Sequence, residues 1–153
     1  MTTVKSVPDG YHTVTPYLLV QGADMLIDFV KKAFDAKETV RMSMPDGAIG
    51  HAEFRVGDSV IMLSEAQGGE YQPMPTRIYL YVENCDTTYK RALEAGATSI
   101  MQPSDQFYGD RSASIKDQFG NIWYIATHIE DLSKEELTKR MDEYMKKRTQ
   151  GNV

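Results

Sequence analysis

A repeated order of predicted elements limits the fold of this chain more than any other feature of its sequence. β-branched and aromatic runs indicate strands, and apolar residues at helical spacing indicate helices. The first half has a strand, a helix and three further strands, in YHTVTPYLLV, MLIDFVKKAF, ETVRMSM, GHAEFRV and SVIML. The second half gives the same order in TRIYLYV, TTYKRALEAG, SIMQPSDQFY, DRSASIK and NIWYIATH. We therefore predict an α+β fold of two βαβββ modules, about 11–65 and about 76–129, joined by a linker at 66–75.

The two halves can be overlaid residue by residue. A single shift along the chain brings Val20 onto Val82 and also brings Asp24 onto Asp86. One added residue then brings Gly57 onto Gly120 and the last strands onto each other. The two halves of an α+β chain can be similar by chance, but the agreement in element order and turn positions favours an internal duplication.

Composition narrows the class of protein. The chain has 153 residues, enough for one domain with its own core, and 25% of them are charged. A net charge of −5 offers no basic face for nucleic acid, and a single cysteine permits no internal disulfide. The N-terminal MTTVKSVPDGYH lacks the apolar core of a signal peptide, and no apolar run reaches the length of a membrane span. We expect a cytoplasmic single domain that binds neither nucleic acid nor membranes.

A third piece follows the repeat. Ser133 and Glu136 have the spacing of a capping box, which predicts a helix over about 133–149. Its apolar stripe consists of Leu137, Met141, Tyr144 and Met145. The stripe needs a surface to cover it, and the sequence leaves open whether that surface belongs to the same chain or to a partner subunit.

Four stretches together resemble the vicinal oxygen chelate superfamily, and within it the PhnB-like proteins. They are TPYLLV, DGAIGHAEFRVGDSVIML, YLYVENCD and DQFYGDRSASIKDQFGNIWYIATH, and the resemblance spans about 11–129. The superfamily includes glyoxalase I, extradiol dioxygenases, fosfomycin-resistance enzymes and bleomycin-resistance proteins. The resemblance implies that each module curls its four strands into a half-barrel, that the paired half-barrels face one cleft, and that the chain forms a homodimer.

In the metal-using relatives, the ligands project into the cleft from the first and last strands of each module. The resemblance places these positions at Thr15, Ile61, Arg77 and Tyr124. None of the four offers a carboxylate or an imidazole, the ligands that a divalent cation prefers, and the guanidinium of Arg77 would repel a cation. We therefore predict no metal and no other cofactor at this site.

The segment GHAEFRVG contains the best candidates for acid–base chemistry. Strand alternation puts His51, Glu53 and Arg55 on one face, away from the apolar Ala52 and Phe54. His51 and Glu53 could form an acid–base pair in the cleft. A solvated strand face or a salt-bridged network with Arg55 is favoured over catalysis, while we expect the pair to line the cleft.

Aromatic residues are the other candidates for the cleft. By the same parity, Tyr17, Tyr79, Tyr81 and Tyr124 share the inward face with Arg77. Phenol rings suit an organic ligand, and Arg77 could hold an anionic group, although strand tyrosines also fill cores. A cationic ligand such as bleomycin is not expected beside Arg77.

Two functions therefore stay open. The first is a metal-free protein that binds a small organic molecule in the aromatic cleft between the modules, similar to the bleomycin-resistance proteins. The alternative is a lyase- or dioxygenase-like enzyme that uses a displaced metal or the pair His51/Glu53. The residue types at the predicted metal positions favour binding.

Overall fold

The structure, a computed structural model, describes residues 3–151 and confirms the predicted α+β fold. Each half contains one helix and four strands in the predicted order, and a helix follows the second half. The elements are β1 (Tyr17–Val20), α1 (Ala23–Phe34), β2 (Lys37–Ser43), β3 (Ile49–Val56), β4 (Ser59–Glu65), β5 (Arg77–Tyr81), α2 (Cys85–Glu94), β6 (Thr98–Asp105), β7 (Asp110–Lys116), β8 (Ile122–His128) and α3 (Lys134–Gln150).

Both modules have the same strand topology. Sheet one has the order β1-β4-β3-β2, and sheet two has the order β5-β8-β7-β6. Two neighbouring strands in each sheet are parallel: β1 and β4 in sheet one, and β5 and β8 in sheet two. All other neighbouring strands are antiparallel. The crossover between the parallel strands includes the helix of the module, as a parallel connection requires. The duplication predicted from the sequence therefore extends to topology.

Strand pairing corrects the predicted overlay at the last strands. Tyr17 pairs with Met62 in sheet one, and Tyr79 pairs with Tyr124 in sheet two. The shift that brings Tyr17 onto Tyr79 also brings Met62 onto Tyr124. The prediction of one added residue at β8 was therefore wrong, and Met62, not Ile61, corresponds to Tyr124. Ile61 is 3% exposed and belongs to the core.

The missed register has a local cause. The turn before β8 does hold one residue more than the turn before β4, because residues 118–120 replace residues 57–58. Glu53 pairs with Met62, whereas Ser114 pairs with Tyr124, so Ser114 is the counterpart of Glu53. The shift from Glu53 to Ser114 is one residue shorter than the shift from Met62 to Tyr124. Module two therefore has one residue fewer than module one before the position of Ser114 and Glu53, and this offsets the extra residue in its turn before β8.

The core lies between the two helices and one face of each sheet. Leu18, Leu63 and Phe54 of sheet one and Ile125 and Trp123 of sheet two are all fully buried. Each such side chain contributes roughly 1.5–3 kcal/mol relative to an exposed position. The Phe34 and Trp123 rings join the two modules, with 4.8 Å between their centroids. The opposite face of each sheet is thereby left for polar and aromatic side chains.

Each helix begins against the end of the last strand of its module. The Glu65 carboxylate accepts hydrogen bonds from the backbone N–H groups of Gly22 and Ala23 at the start of α1. In the second module, the Thr127 hydroxyl accepts one from the Cys85 N–H at 2.9 Å. These bonds satisfy donors that a helix leaves unpaired. Because Thr127 occupies the same position in β8 that Glu65 occupies in β4, the two modules share this contact.

The turn before β8 is held by one buried carboxylate. Asp117 is 5% exposed, and each of its oxygens accepts two hydrogen bonds. One oxygen accepts from the backbone N–H groups of Phe119 and Asn121, at 2.8 and 2.9 Å. The other accepts from Asn121 Nδ2 at 2.9 Å and from Trp123 Nε1 at 2.8 Å. The hydrogen bond from the buried indole of Trp123 therefore ties this turn to the core.

The C-terminal helix α3 begins as predicted but is not buried. The Ser133 side chain accepts a hydrogen bond from the Glu136 N–H at 3.1 Å. The Tyr144 ring lies 4.9 Å from that of Phe107, and Arg140 pairs with Glu130 at 2.6 Å. None of the α3 residues is buried. Across residues 3–151, no helix has the length and apolar character needed to span a membrane.

Candidate functional site

The polar face of sheet two is organised in rows of paired residues. One row contains Arg77, Ile122 and Lys116, and the next contains Tyr79, Tyr124 and Ser114. A third contains Tyr81, Ala126 and Ser112, and a fourth contains His128 and Asp110. The small residues in the second and third rows leave room for the neighbouring tyrosine rings. We call Tyr79, Tyr81, Tyr124 and Arg77 the tyrosine face.

The rings of the tyrosine face contact one another. The Tyr79 and Tyr124 rings are stacked, with 5.7 Å between centroids and 20° between planes. The Tyr79 and Tyr81 centroids are 5.2 Å apart. Tyr79 and Tyr81 are 42% and 67% exposed, so their rings are not core fillers. The face is an open aromatic platform of the kind that binds flat organic groups.

Asp110 organises one end of this face. It is 4% exposed, and its Oδ2 accepts hydrogen bonds from Tyr79 and Tyr81 at 3.0 and 3.1 Å. Its Oδ1 lies 2.8 Å from Nδ1 of His128, whose Nε2 lies 2.8 Å from Asp131. Burial and the Asp110 hydrogen bond raise the pKa of both phenols. Hydrogen bonds to Asp110 and Asp131 raise the pKa of His128, which favours the imidazolium.

Arg77 marks the other end of the tyrosine face. Its guanidinium donates a hydrogen bond to the Tyr124 hydroxyl at 2.6 Å. Within residues 3–151, no carboxylate lies within salt-bridge distance of it, unlike Arg111, which pairs with Asp86 and Asp105. A neutral phenol leaves the charge of Arg77 uncompensated, so the guanidinium can receive an anion.

The predicted pair His51/Glu53 is present on sheet one. His51 Nε2 lies 2.9 Å from Glu53 Oε2, and the Tyr11 hydroxyl donates to the other oxygen of Glu53. Burial raises the pKa of Glu53, but the hydrogen bonds from Tyr11 and His51 outweigh this effect, and the pKa is lower than usual. The Tyr17 hydroxyl lies 3.4 Å from Nδ1 of His51. Glu53 thus stays ionised and orients His51.

The five residues predicted for one cleft lie in two places. Tyr17 is on sheet one, against His51, and borders a cavity of about 300 Å³ with Leu19, Ser64 and Tyr71. Arg77, Tyr79, Tyr81 and Tyr124 are together on sheet two. A groove of about 820 Å³ between the modules is lined by Tyr79 and Tyr81 but not by Tyr17, Arg77 or Tyr124. Neither the cavity on sheet one nor the groove between the modules is therefore lined by all five residues.

The predicted metal positions do not fit a metal ion. With the corrected register, they are Thr15, Met62, Arg77 and Tyr124, which offer a hydroxyl, a thioether, a guanidinium and a phenol. In the part of the chain that the structure describes, no three His, Cys, Asp or Glu side chains form a cluster that could hold a metal ion. These donors do not match the imidazole and carboxylate set of catalytic metal sites.

Comparison with known families identifies the class of protein. The family model described as the glyoxalase/bleomycin resistance protein/dioxygenase superfamily matches residues 11–125, and the chain belongs to this superfamily. Uncharacterized protein Mb0911c of Mycobacterium bovis is 34% identical over 138 residues, which cover 84% of this chain and 91% of that protein. Uncharacterized protein Rv0887c of Mycobacterium tuberculosis is also 34% identical over 138 residues, covering 84% of this chain and 81% of that protein.

Solved structures share the fold. TioX from Micromonospora sp. ML1 has a TM-score of 0.66 and 21% identity, over 77% of this chain and 99% of its own. A PhnB protein from Bacillus cereus, titled a putative 3-demethylubiquinone-9 3-methyltransferase, has a TM-score of 0.59 and 16% identity, over 76% and 99%. The predicted resemblance to the superfamily is confirmed, and a PhnB protein is among the solved structures that share the fold.

Sequence reasoning missed two residues of these clusters. Asp110 is the first residue of the predicted strand DRSASIK and was not among the candidate site residues, although Tyr79 and Tyr81 donate hydrogen bonds to it and His128 lies 2.8 Å from it. Tyr11 reaches Glu53 from a distant part of the chain, before β1 begins. The parity of β8 puts His128 on the same face as Tyr124, which was the one available signal for the Asp110 cluster.

Proposed function

We propose that the protein binds a small organic molecule on the tyrosine face of sheet two and needs no metal ion to do so. One observation carries this proposal: the exposed Tyr79 ring stacks on the half-buried Tyr124 ring, beside a guanidinium whose one side-chain partner within residues 3–151 is a phenol. The rings supply apolar area, and Arg77 supplies a charge-assisted hydrogen bond to an anionic group. The lack of suitable donors at the family metal positions supports binding without a metal.

A fluorescent anion tests this proposal directly. 8-Anilinonaphthalene-1-sulfonate carries flat rings and a sulfonate, and its emission rises in an apolar site. We expect Arg77→Met to weaken its binding about tenfold, since hydrogen bonds to charged groups are worth roughly 1.5–3 kcal/mol. Arg41→Met is the matched control, because Arg41 is paired with Glu38 on β2, in the other sheet. Equal binding by the two variants would contradict the proposal.

A second candidate function is acid–base catalysis at sheet one. His51 lies between Glu53 and the Tyr17 hydroxyl, and Tyr17 borders the 300 Å³ cavity. If His51 acts as a general base there, the protein should accelerate exchange of the carbon-bound hydrogens of hydroxyacetone in D₂O, followed by proton NMR. His51→Gln should abolish the acceleration. An exchange rate equal to that in buffer would exclude this activity for hydroxyacetone.

We further propose that the protein works as a cytoplasmic homodimer. The apolar stripe of α3 supports a partner subunit, because Leu137, Met141 and Met145 are 38%, 52% and 49% exposed. Light scattering after size exclusion should give about twice the chain mass of 17.3 kDa. Leu137→Glu/Met141→Glu should give the monomer mass if the stripe forms the contact. A monomeric wild-type protein would refute this part of the proposal.

A further inference from the structure

We infer that the ligand of the tyrosine face is a small aromatic zwitterion, with its anionic group at Arg77 and an organic cation over Tyr79 and Tyr81. This inference rests on the proposed function above and adds the chemical class of the ligand. It corrects the expectation that Arg77 makes the whole site unsuitable for a cation.

The two ends of sheet two carry opposite charge. Arg77 and Lys116 both pair with Ile122, so two cationic side chains share the first row. At the other end, His128 lies between Asp110 and Asp131. Two carboxylates against one imidazolium leave that end with a net negative charge. A ligand that satisfies both ends must itself carry both signs.

Asp110 makes the neighbouring rings good partners for a cation. The Tyr79 and Tyr81 phenols both donate to its buried carboxylate, at 3.0 and 3.1 Å. A phenol that donates to an anion is polarised, which increases the negative charge on its ring. Ring faces with this charge attract organic cations, and both rings are accessible to solvent. Asp110 itself is 4% exposed, so it acts through the rings and does not contact the ligand.

The spacing of the two subsites sets the size of the ligand. The Arg77 side chain reaches along the sheet to the hydroxyl of Tyr124, which lies in the second row. Tyr81 lies in the third row, and successive rows are two residues, or about 7 Å, apart. The anion and the cation are therefore separated by about the width of one benzene ring with its substituents. The stacked Tyr79 and Tyr124 rings are available to that benzene ring.

A pair of probes with the same shape tests the cation subsite. The zwitterion 4-(trimethylammoniomethyl)benzoate and the anion 4-neopentylbenzoate differ only in the nitrogen and its charge. Isothermal titration calorimetry of the full chain should show the zwitterion binding on the order of tenfold more tightly than the neopentyl compound. Because both probes carry the same carboxylate, Arg77→Met should weaken both.

Variants of exposed tyrosines separate the cation subsite from general packing. Tyr81→Leu should remove most of the preference for the zwitterion while retaining much of the binding of 4-neopentylbenzoate. Tyr71→Leu is the matched control, because Tyr71 is 65% exposed and Tyr81 is 67% exposed, and Tyr71 lies in the linker. Asp110→Asn should reduce the same preference, and circular dichroism should show that each variant is folded.

The outcomes distinguish this inference from the proposed function. Binding of both probes with equal affinity, weakened by Arg77→Met, would overturn the cation subsite and leave the anion-binding site in place. A preference for the zwitterion that Tyr81→Leu does not reduce would also overturn the inference. Binding of 8-anilinonaphthalene-1-sulfonate through Arg77 without binding of either benzoate would overturn the zwitterion alone. Failure of all three probes would overturn both.

Discussion

The buried carboxylate of Asp117 provides a sharp test of how the second module is held together. In Asp117→Asn, the oxygen that receives the two backbone N–H groups can be retained. The new amide NH₂ would then face Asn121 Nδ2 and Trp123 Nε1, which are themselves donors. Two buried donors would thus lose their acceptor, at roughly 1–3 kcal/mol each, and we expect a loss of about 3 kcal/mol in the free energy of unfolding.

Urea unfolding followed by tryptophan fluorescence measures this loss directly. Trp123 is the only tryptophan and is fully buried, so its emission reports on the site of the change. A loss of about 3 kcal/mol should lower the melting temperature by about 10 °C for a domain of this size. Asp58→Asn is the matched control. Asp58 lies in the corresponding turn of module one and is exposed, and among the described residues only Ser59 donates a hydrogen bond to it, so its change should stay within about 0.5 kcal/mol.

A loss for Asp117→Asn as small as that of the control would refute this reasoning. It would mean that water or a rearranged turn satisfies the two donors at little cost. A loss of cooperativity, seen as a smaller slope of free energy against urea, would instead show that the variant changes the folded or unfolded ensemble.

Further predictions concern other parts of the chain. The pKa of His128 is raised in the folded protein, so its ion pairs should stabilise the fold fully below about pH 6.5 and should no longer do so once the pH exceeds the raised pKa. The difference in stability between wild type and His128→Gln, measured from pH 5 to 9, should therefore shrink as the pH rises. A difference that stays constant would exclude the ion pairs. Ser133→Ala should destabilise α3 by about 1 kcal/mol without lowering the global melting temperature, and hydrogen exchange of the α3 amides would show it. Cys85 is 2% exposed, and burial raises its pKa, so Ellman's reagent should react with it only after unfolding; rapid reaction in the native protein would contradict this. EDTA should leave the melting temperature unchanged, whereas a fall of several degrees would show a bound metal.

The fold could be predicted from the sequence because strand alternation and helical spacing gave the same element order in both halves. Strand alternation and helical spacing gave the element order, and the repeat supplied the same order twice. The predicted helices and strands are present, although the first strand begins only at Tyr17, later than the predicted residue 11. Local patterns predict the existence of an element better than its ends, since pairing with neighbours decides where a strand starts.

The candidate site was predicted less well because it depends on long-range contacts. Parity placed Arg77, Tyr79, Tyr81 and Tyr124 on one face of sheet two, and pairing brings them together. Parity shows on which face of its own sheet a residue lies, but it does not show how the two sheets are placed relative to each other. For that reason the prediction put Tyr17 of sheet one in the same cleft as the tyrosines of sheet two. Asp110 was missed because its partners lie on β5 and at the end of β8, far from it in sequence.

The first and last strands of the two modules are related by the same difference in residue number. This agreement indicates where the chain can accept an inserted or deleted residue. Side chains alternate between the two faces of a strand, so inserting or deleting one residue inside β8 would turn Tyr124 into the core and Trp123 out of it. A turn can absorb such a change only if the strands beside it keep their pairing, as the longer turn at 118–120 does. Engineered insertions should therefore be tolerated in turns and in the linker, while a single added residue within a strand would exchange the ligand-facing and core-facing surfaces.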